Sequence, residues 1–326
     1  MGRREKLLTK AVKKIILTNT LIRSLEEINE LEEYENMKQY SIILDYKDES
    51  DYTNFFVTIQ KNKHRESDNI FDIKFCLDNK QDGLDLFQKL RQNFVKRDSI
   101  QFTGFNGKFN TITDHFIKKN SNIELKTVIK NDDDLENLKE YNDIINQSKV
   151  FGYKRFNPSG KTKDELQLFK AKTKANIICN IISTISELNN LEENRNNMKD
   201  YKVNISYNVY NDLSNGTYYK YNINLIKNSI KGNKTLLNFN FSLKNHKDGL
   251  DIITEIINNF NLNTEVILST FNSKGNSSIS NKSNIEIITE LKTDSERAIF
   301  DNLHKFLQPD VIDNSNNLKV KKIEKK

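Results

Sequence analysis

Asn36-Met37-Lys38-Gln39-Tyr40 returns as Asn197-Met198-Lys199-Asp200-Tyr201. Asp82-Gly83-Leu84-Asp85 returns as Asp248-Gly249-Leu250-Asp251, and Asn122-Ile123-Glu124 as Asn284-Ile285-Glu286. The order is kept and the offset stays between 161 and 166. Solenoid and propeller repeats run at about 20–50 residues, so a period this long is a whole domain. The 326 residues suit two domains of about 100–200 residues each. The chain therefore reads as a tandem duplication of one folded module.

Working outward from these anchors gives the module twice. Leu21, Leu25, Ile28 and Leu31, matched by Ile181, Ile185, Leu188 and Leu191, recur at helical spacing and predict a long opening helix. Three alternating runs follow. Ile42, Leu44 and Tyr46 match Val203, Ile205 and Tyr207; Phe55, Val57 and Ile59 match Tyr221, Ile223 and Leu225; Phe71, Ile73, Phe75 and Leu77 match Leu237, Phe239, Phe241 and Leu243. Period-two alternation predicts strands with one buried face, as in an antiparallel meander.

A second helix is expected from Asp82 and Asp248, read as N-caps, with Leu84, Phe87, Leu90 and Phe94 inside. Strands are expected at 100–103 and 266–269, then a polar loop with Phe105-Asn106 or Phe271-Asn272, then strands at 123–129 and 285–291. Last helices open at Asn131–Asp134 and Asp294, and Pro309 stops the second. The predicted class is α+β: a helix–three strands–helix–two strands–helix module in tandem, its helices on one face of a mostly antiparallel five-stranded sheet. The order of the first five elements resembles that of a double-stranded-RNA-binding domain. The lysine cluster such domains place at the start of their second helix is replaced here by Asp82-Gly83-Leu84-Asp85, and the module is much longer, so no family is assigned.

Boundaries follow: a first module at 1–148 with a basic N-terminal arm, a basic aromatic connector at 149–165, a second module at 166–310, and a basic tail at 311–326. Aromatics reach 10% of the chain, with 19 Phe and 12 Tyr, which argues against wholesale disorder. Cys76 and Cys179 sit at non-equivalent places in the copies and read as free thiols of a reducing compartment. No apolar run approaches the roughly 18 residues of a membrane span. A soluble, cytoplasmic protein with no membrane partner is expected.

The formal net charge of +6 is unevenly spread. Bases crowd the start (Arg3, Arg4, Lys6, Lys10, Lys13, Lys14), the connector (Lys149, Lys154, Arg155, Lys161, Lys163) and the end (Lys319, Lys321, Lys322, Lys325, Lys326). Elsewhere acids outnumber bases. The connector adds Phe151, Tyr153 and Phe156, rings able to stack on unpaired bases. The turn between the second and third strands is basic in both copies, with Lys61, Lys63 and Arg65 in one and Lys227, Lys231 and Lys234 in the other. Basic segments of this kind suit a polyanion, because neutralised phosphates release counterions. The competing explanation is that charged turns and ends serve solubility.

The four histidines, His64, His115, His246 and His304, are scattered, and no pair has helical metal-ligand spacing. There is no phosphate-binding glycine loop, zinc-spaced cysteine pair or serine elbow. Asp132-Asp133-Asp134 precedes an apolar-periodic run and reads as helix capping. Glu124 with Thr127 recurs as Glu286 with Thr289, and Asn106 with Lys108 as Asn272 with Lys274. These are the polar pairs that form a site twice, unless they are only cross-strand and turn chemistry. No metal or cofactor is expected. The expected role is non-catalytic binding or scaffolding, with RNA or a ribonucleoprotein as partner, engaged by tails, connector and hairpin tips. The alternatives are a protein-interaction scaffold using the long amphipathic helices and, third, an enzyme with a site between the modules.

Overall fold

The computed structural model describes residues 2–63, 66–96, 100–108, 111–147, 160–212, 216–230 and 232–307. The chain divides into two compact units, Met1–Ser159 and Gly160–Lys326, each built to the same plan. The first runs α1 (Arg3–Leu31), β1 (Tyr40–Asp48), β2 (Thr53–Asn62), β3 (Ser67–Leu77), α2 (Lys80–Val95), β4 (Ile100–Lys108), β5 (Thr111–Lys119), β6 (Ile123–Val128) and α3 (Asp132–Gln147). The second runs α4 (Lys163–Asn190), β7 (Tyr201–Asp212), β8 (Gly216–Lys227), β9 (Lys234–Leu243), α5 (His246–Asn263), β10 (Val266–Phe271), β11 (Ser277–Asn281), β12 (Ile285–Thr289) and α6 (Asp294–Leu307).

Each unit holds one six-stranded sheet, ordered β3-β2-β1-β6-β5-β4 in the first and β9-β8-β7-β12-β11-β10 in the second. All neighbours are antiparallel except the central pair, β1 with β6 and β7 with β12, which are parallel. The fold is thus α+β in tandem, with three strands after the middle helix where two were expected. The added strand is β5 or β11. Its buried positions are His115, Ile117 and Lys119 in one copy and Ser277, Ser278, Ile279 and Asn281 in the other. Polar residues on the inner face hide the apolar alternation by which a strand is recognised. For the same reason Phe105-Asn106 lies on β4, which runs on to pair with β5, while Asn272 does open a turn.

The repeated motifs are pieces of this architecture. Asn29 on α1 donates to the carbonyls of Lys38 (2.8 Å) and Ser121 (2.7 Å) and accepts from the Lys38 N–H (3.2 Å). Asn189 makes the same three bonds to Lys199 and Ser283. One buried amide thereby fixes the entry to β1 and the turn before β6. In that turn Asn122 and Asn284 take φ of 58° and 57°, a left-handed conformation that Asn tolerates better than most residues. Lys14 and Lys174 reach from the first helices to the carbonyls of Lys74 and Asn240 on the edge strands β3 and β9. Leu21, Leu25, Ile28 and Leu31 of α1 are buried, as are Ile181 and Ile185 of α4, whereas Leu188 and the C-cap Leu191 are half-buried.

Caps correct two expectations. Asn79 and Asn245, not Asp82 and Asp248, cap α2 and α5, accepting from the N–H groups of Gln81 (2.8 Å) and Lys247 (3.0 Å). The aspartates sit one turn in, where they meet the helix dipole. Similarly, Thr162 and Glu165 form a capping box, so the last residues assigned to the connector begin α4.

Gly83 and Gly249 are kept for space. A Cβ at Gly83 would lie 2.1 Å from the nearest carbon of the Phe55 ring, and one at Gly249 2.0 Å from that of the Tyr221 ring. Phe55 is fully buried, stacked on Phe75 (5.2 Å) and edge-on to Phe87 (5.3 Å), so it has nowhere to go. We expect Gly83→Ala to destabilise the first unit by about 2 kcal/mol, the usual range for overpacking being about 1–3. Urea unfolding followed by circular dichroism checks this, and an unchanged midpoint would remove the steric account of the glycine.

Candidate functional site

The basic residues singled out from the sequence are placed in two ways. Arg3 and Arg4 begin α1 rather than a free arm, and Arg4 pairs with Asp82 at 3.1 Å. At the β2–β3 tip Lys61 faces Asp68 across the strands and Lys63 is ion-paired to the same carboxylate. Burial, then repulsion from Lys63, lowers the Lys61 pKa. At the β8–β9 tip, by contrast, Lys227 and Lys234 stand directly opposite one another. Arg65, Tyr153, Lys154, Arg155, Lys231, Lys319, Lys321 and Lys322 lie outside the described residues.

The twice-repeated polar pair does not assemble. Glu124 and Thr127 are three residues apart on β6, so they point to opposite faces of the sheet. Glu124 pairs with Lys126 at 2.9 Å on the open face, while Thr127 is buried beneath the helices. Glu286 and Thr289 divide likewise, Glu286 accepting from Ser278 at 2.7 Å. Side-chain period two forbids the pairing that the recurrence suggested.

What the fold does bring together are buried polar clusters between the sheet and its helices. One imidazole lies between the last helix and the outer strands of each unit, supplied from opposite sides. In the first it is His115 of β5, 4.9 Å from the Phe105 ring and 3.3 Å from the Asn142 amide oxygen on α3. In the second it is His304 of α6, stacked 4.7 Å from Phe271, with Ser269 (2.8 Å) and Ser277 (2.9 Å) on its two nitrogens. A serine against a histidine is the geometry of an activated nucleophile. Here Ser277 is 1% exposed, Ser269 3% exposed, and both ring nitrogens are occupied by hydroxyls. The cluster is a clamp that joins α6 to β10 and β11. Burial lowers the His304 pKa and pushes that of His115 down to about 4, with the Arg91 cation adding to the effect on His115.

A second cluster surrounds Glu296, the N3 residue of α6. It accepts from the Tyr207 hydroxyl (2.7 Å), the Lys292 and Thr293 N–H groups (2.6 and 3.1 Å) and His246 Nε2 (2.8 Å). The Nδ1 of His246 meets the Tyr221 hydroxyl at 2.7 Å. Burial works to raise the Glu296 carboxyl, but the hydrogen bonds outweigh it and hold the group below its usual range. The first unit repeats the outline, with the Tyr46 hydroxyl on Asp134 at 2.7 Å and the Lys130 N–H on it at 3.0 Å.

Between Tyr46, Asp134 and α2, however, the first unit differs. Arg91 occupies the inner stripe of α2, where the second unit has Ile257, and it is 8% exposed. Its Nε and one terminal nitrogen donate to Gln88 (3.0 and 2.6 Å), and the other reaches Thr127 at 3.4 Å. The Tyr141 ring lies 5.9 Å away. Beside it is a cavity of about 50 Å³ bordered by Leu44, Leu84, Phe87, Leu138, Thr127 and Asp134. The signal for Arg91 was present in the sequence: an arginine at a stripe position whose copy is isoleucine.

Among the described residues no group of His, Cys, Asp and Glu has the arrangement of a metal site, and no helix is long and apolar enough to cross a membrane. Cys76 and Cys179 are free thiols. Comparison with protein-family models, curated proteins and solved structures finds no match.

Proposed function

We propose that the chain is a non-catalytic, two-module binding protein whose partner is a polyanion, RNA or a ribonucleoprotein surface. The supporting observation is the β8–β9 tip, where Lys227 and Lys234 face each other across the hairpin. Two lysines placed side by side at a hairpin tip offer paired cations to one stretch of phosphate backbone, whose neutralisation releases counterions. The motifs shared by the two modules do not compete for that role. Asn29 and Asn189, Asn122 and Asn284, and Gly83 and Gly249 hold the fold in both copies. The two hairpin tips are then unequal. Asp68 is shared by the lysines of the first, whereas Lys227 and Lys234 face one another across the second.

The test is titration of the full chain with a fluorescent single-stranded RNA oligomer at a series of salt concentrations. Lys227→Glu with Lys234→Glu should weaken binding several-fold or more and flatten the salt slope by about 1–2. Lys61→Glu with Lys63→Glu should do less. Absence of binding at low salt, or an equal loss from the two double variants, would count against the proposal.

A further inference from the structure

We infer that the first module carries a binding site for a small monocarboxylate, centred on the buried guanidinium of Arg91, which the second module lacks. Arginine has five N–H donors. Three are accounted for by Gln88 and Thr127, the last at a long 3.4 Å, and among the described residues no carboxylate stands within ion-pair distance. Burying a cation is strongly unfavourable, and Asp134, which attracts it from beyond ion-pair distance, is already bound by Tyr46 and Lys130. Burial brings the Arg91 pKa down to about 10, so the side chain stays charged at neutral pH. A built-in, desolvated positive charge beside an accessible cavity is the condition an anion needs.

The surroundings narrow the ligand. The cavity of about 50 Å³ is partly open, and the half-buried Asp134 and exposed Asn137 are among its lining residues. One water-sized probe needs about 10–15 Å³, so three to five such positions fit, enough for a carboxylate and one or two carbons. A planar carboxylate matches the guanidinium fork with two parallel bonds. Leu44, Leu84, Phe87 and Leu138 offer an apolar seat for a short aliphatic end. Asp134 at the rim is already engaged by Tyr46 and Lys130, and its negative charge disfavours a dianion. A monoanion neutralises Arg91 and leaves Asp134 undisturbed.

The second module is an internal control. Ile257 stands in place of Arg91 and Phe300 in place of Leu138, and both are fully buried. The cation is gone and a larger side chain occupies the ground of the smaller one. The equivalence is firm, because Tyr207 and Glu296 repeat the contact of Tyr46 with Asp134.

The experiment is thermal unfolding of the full chain in sodium propionate, acetate, octanoate or phosphate, each against sodium chloride at matched ionic strength and pH. Propionate or acetate at tenfold its dissociation constant should raise the transition by about 3 °C or more, and octanoate and phosphate should not. Arg91→Ile should abolish the shift. Leu138→Phe keeps the guanidinium but copies Phe300, and it should abolish the shift as well, which guards against a general effect of the first variant on folding. A shift that survives Leu138→Phe, a larger response to phosphate, or equal responses to all four salts would overturn the assignment. RNA binding plays no part in this readout, so the two proposals stand or fall separately.

Discussion

Lys119→Met is expected to destabilise the first module by about 3–5 kcal/mol, the cost of removing one partner from a buried ion pair. The Lys119 ammonium lies 2.7 Å from Glu26, with the two side chains 1% and 9% exposed, and 4.1 Å above the Phe94 ring. The substitution keeps the aliphatic length but strips Glu26 of this cation while it remains away from water. The second module shows a neutral solution to the same packing problem. There Ser186 takes the place of Glu26 and Asn281 that of Lys119, joined at 3.4 Å, with Asn281 also accepting from the N–H groups of Ser283 (3.1 Å) and Ile285 (2.9 Å). The double variant Glu26→Ser with Lys119→Asn should therefore be far less harmful than either single change. The double-mutant cycle, measured by urea unfolding, should give a coupling of about 2–3 kcal/mol. If the single effects add, the ion pair is not the unit that holds α1 to β5.

The first module is also expected to weaken as the pH falls from about 6.5 toward about 4, because His115 is neutral when folded. Its folded pKa lies near 4, depressed first by burial and then by Arg91. The unfolded value is about 6.5, so in this window the unfolded chain binds the proton and the folded one does not. Stability from this group is complete above the unfolded pKa and is lost on acidification, by up to about 3 kcal/mol. Geometry agrees with the sign. His115 Nε2 meets Asn142, but among the described residues the buried Nδ1 has no partner, so a second proton there would find no acceptor. Hydrogen exchange of the β5 amides from pH 7 to 4.5 measures the loss. His115→Ser, which copies Ser277, should be less protected at neutral pH and flatter with pH. Parallel pH profiles for the two proteins would remove His115 as the cause.

The two imidazole clusters show why recurrence was a good guide to fold and a poor one to site. His115 and His304 are not equivalent in sequence, since Ser277 matches the first and Asn142 the second. Their rings nonetheless fill similar places, because strand and helix face each other and either can supply the ring. Conversely, Glu124 and Thr127 do recur at the same spacing, and the pleat sends them to opposite sides. A linear pattern records which residues are repeated, whereas a site depends on which face each one leaves.

Covalent neighbours alone were enough to establish the duplication, the helical stripes of α1 and α4, the alternating strands β1 to β3 and β7 to β9, and the segregation of positive charge. Those features rest on periodicities of the backbone, which act over a few residues and are written in the chain itself. The sixth strand, the steric need for Gly83, the Lys119–Glu26 pair and the cavity at Arg91 were decided by tertiary structure. Each depends on groups remote in the chain, 93 residues apart in the case of the ion pair, meeting at a few ångströms, and for most of them on the removal of polar side chains from water, where charge and fit count for most.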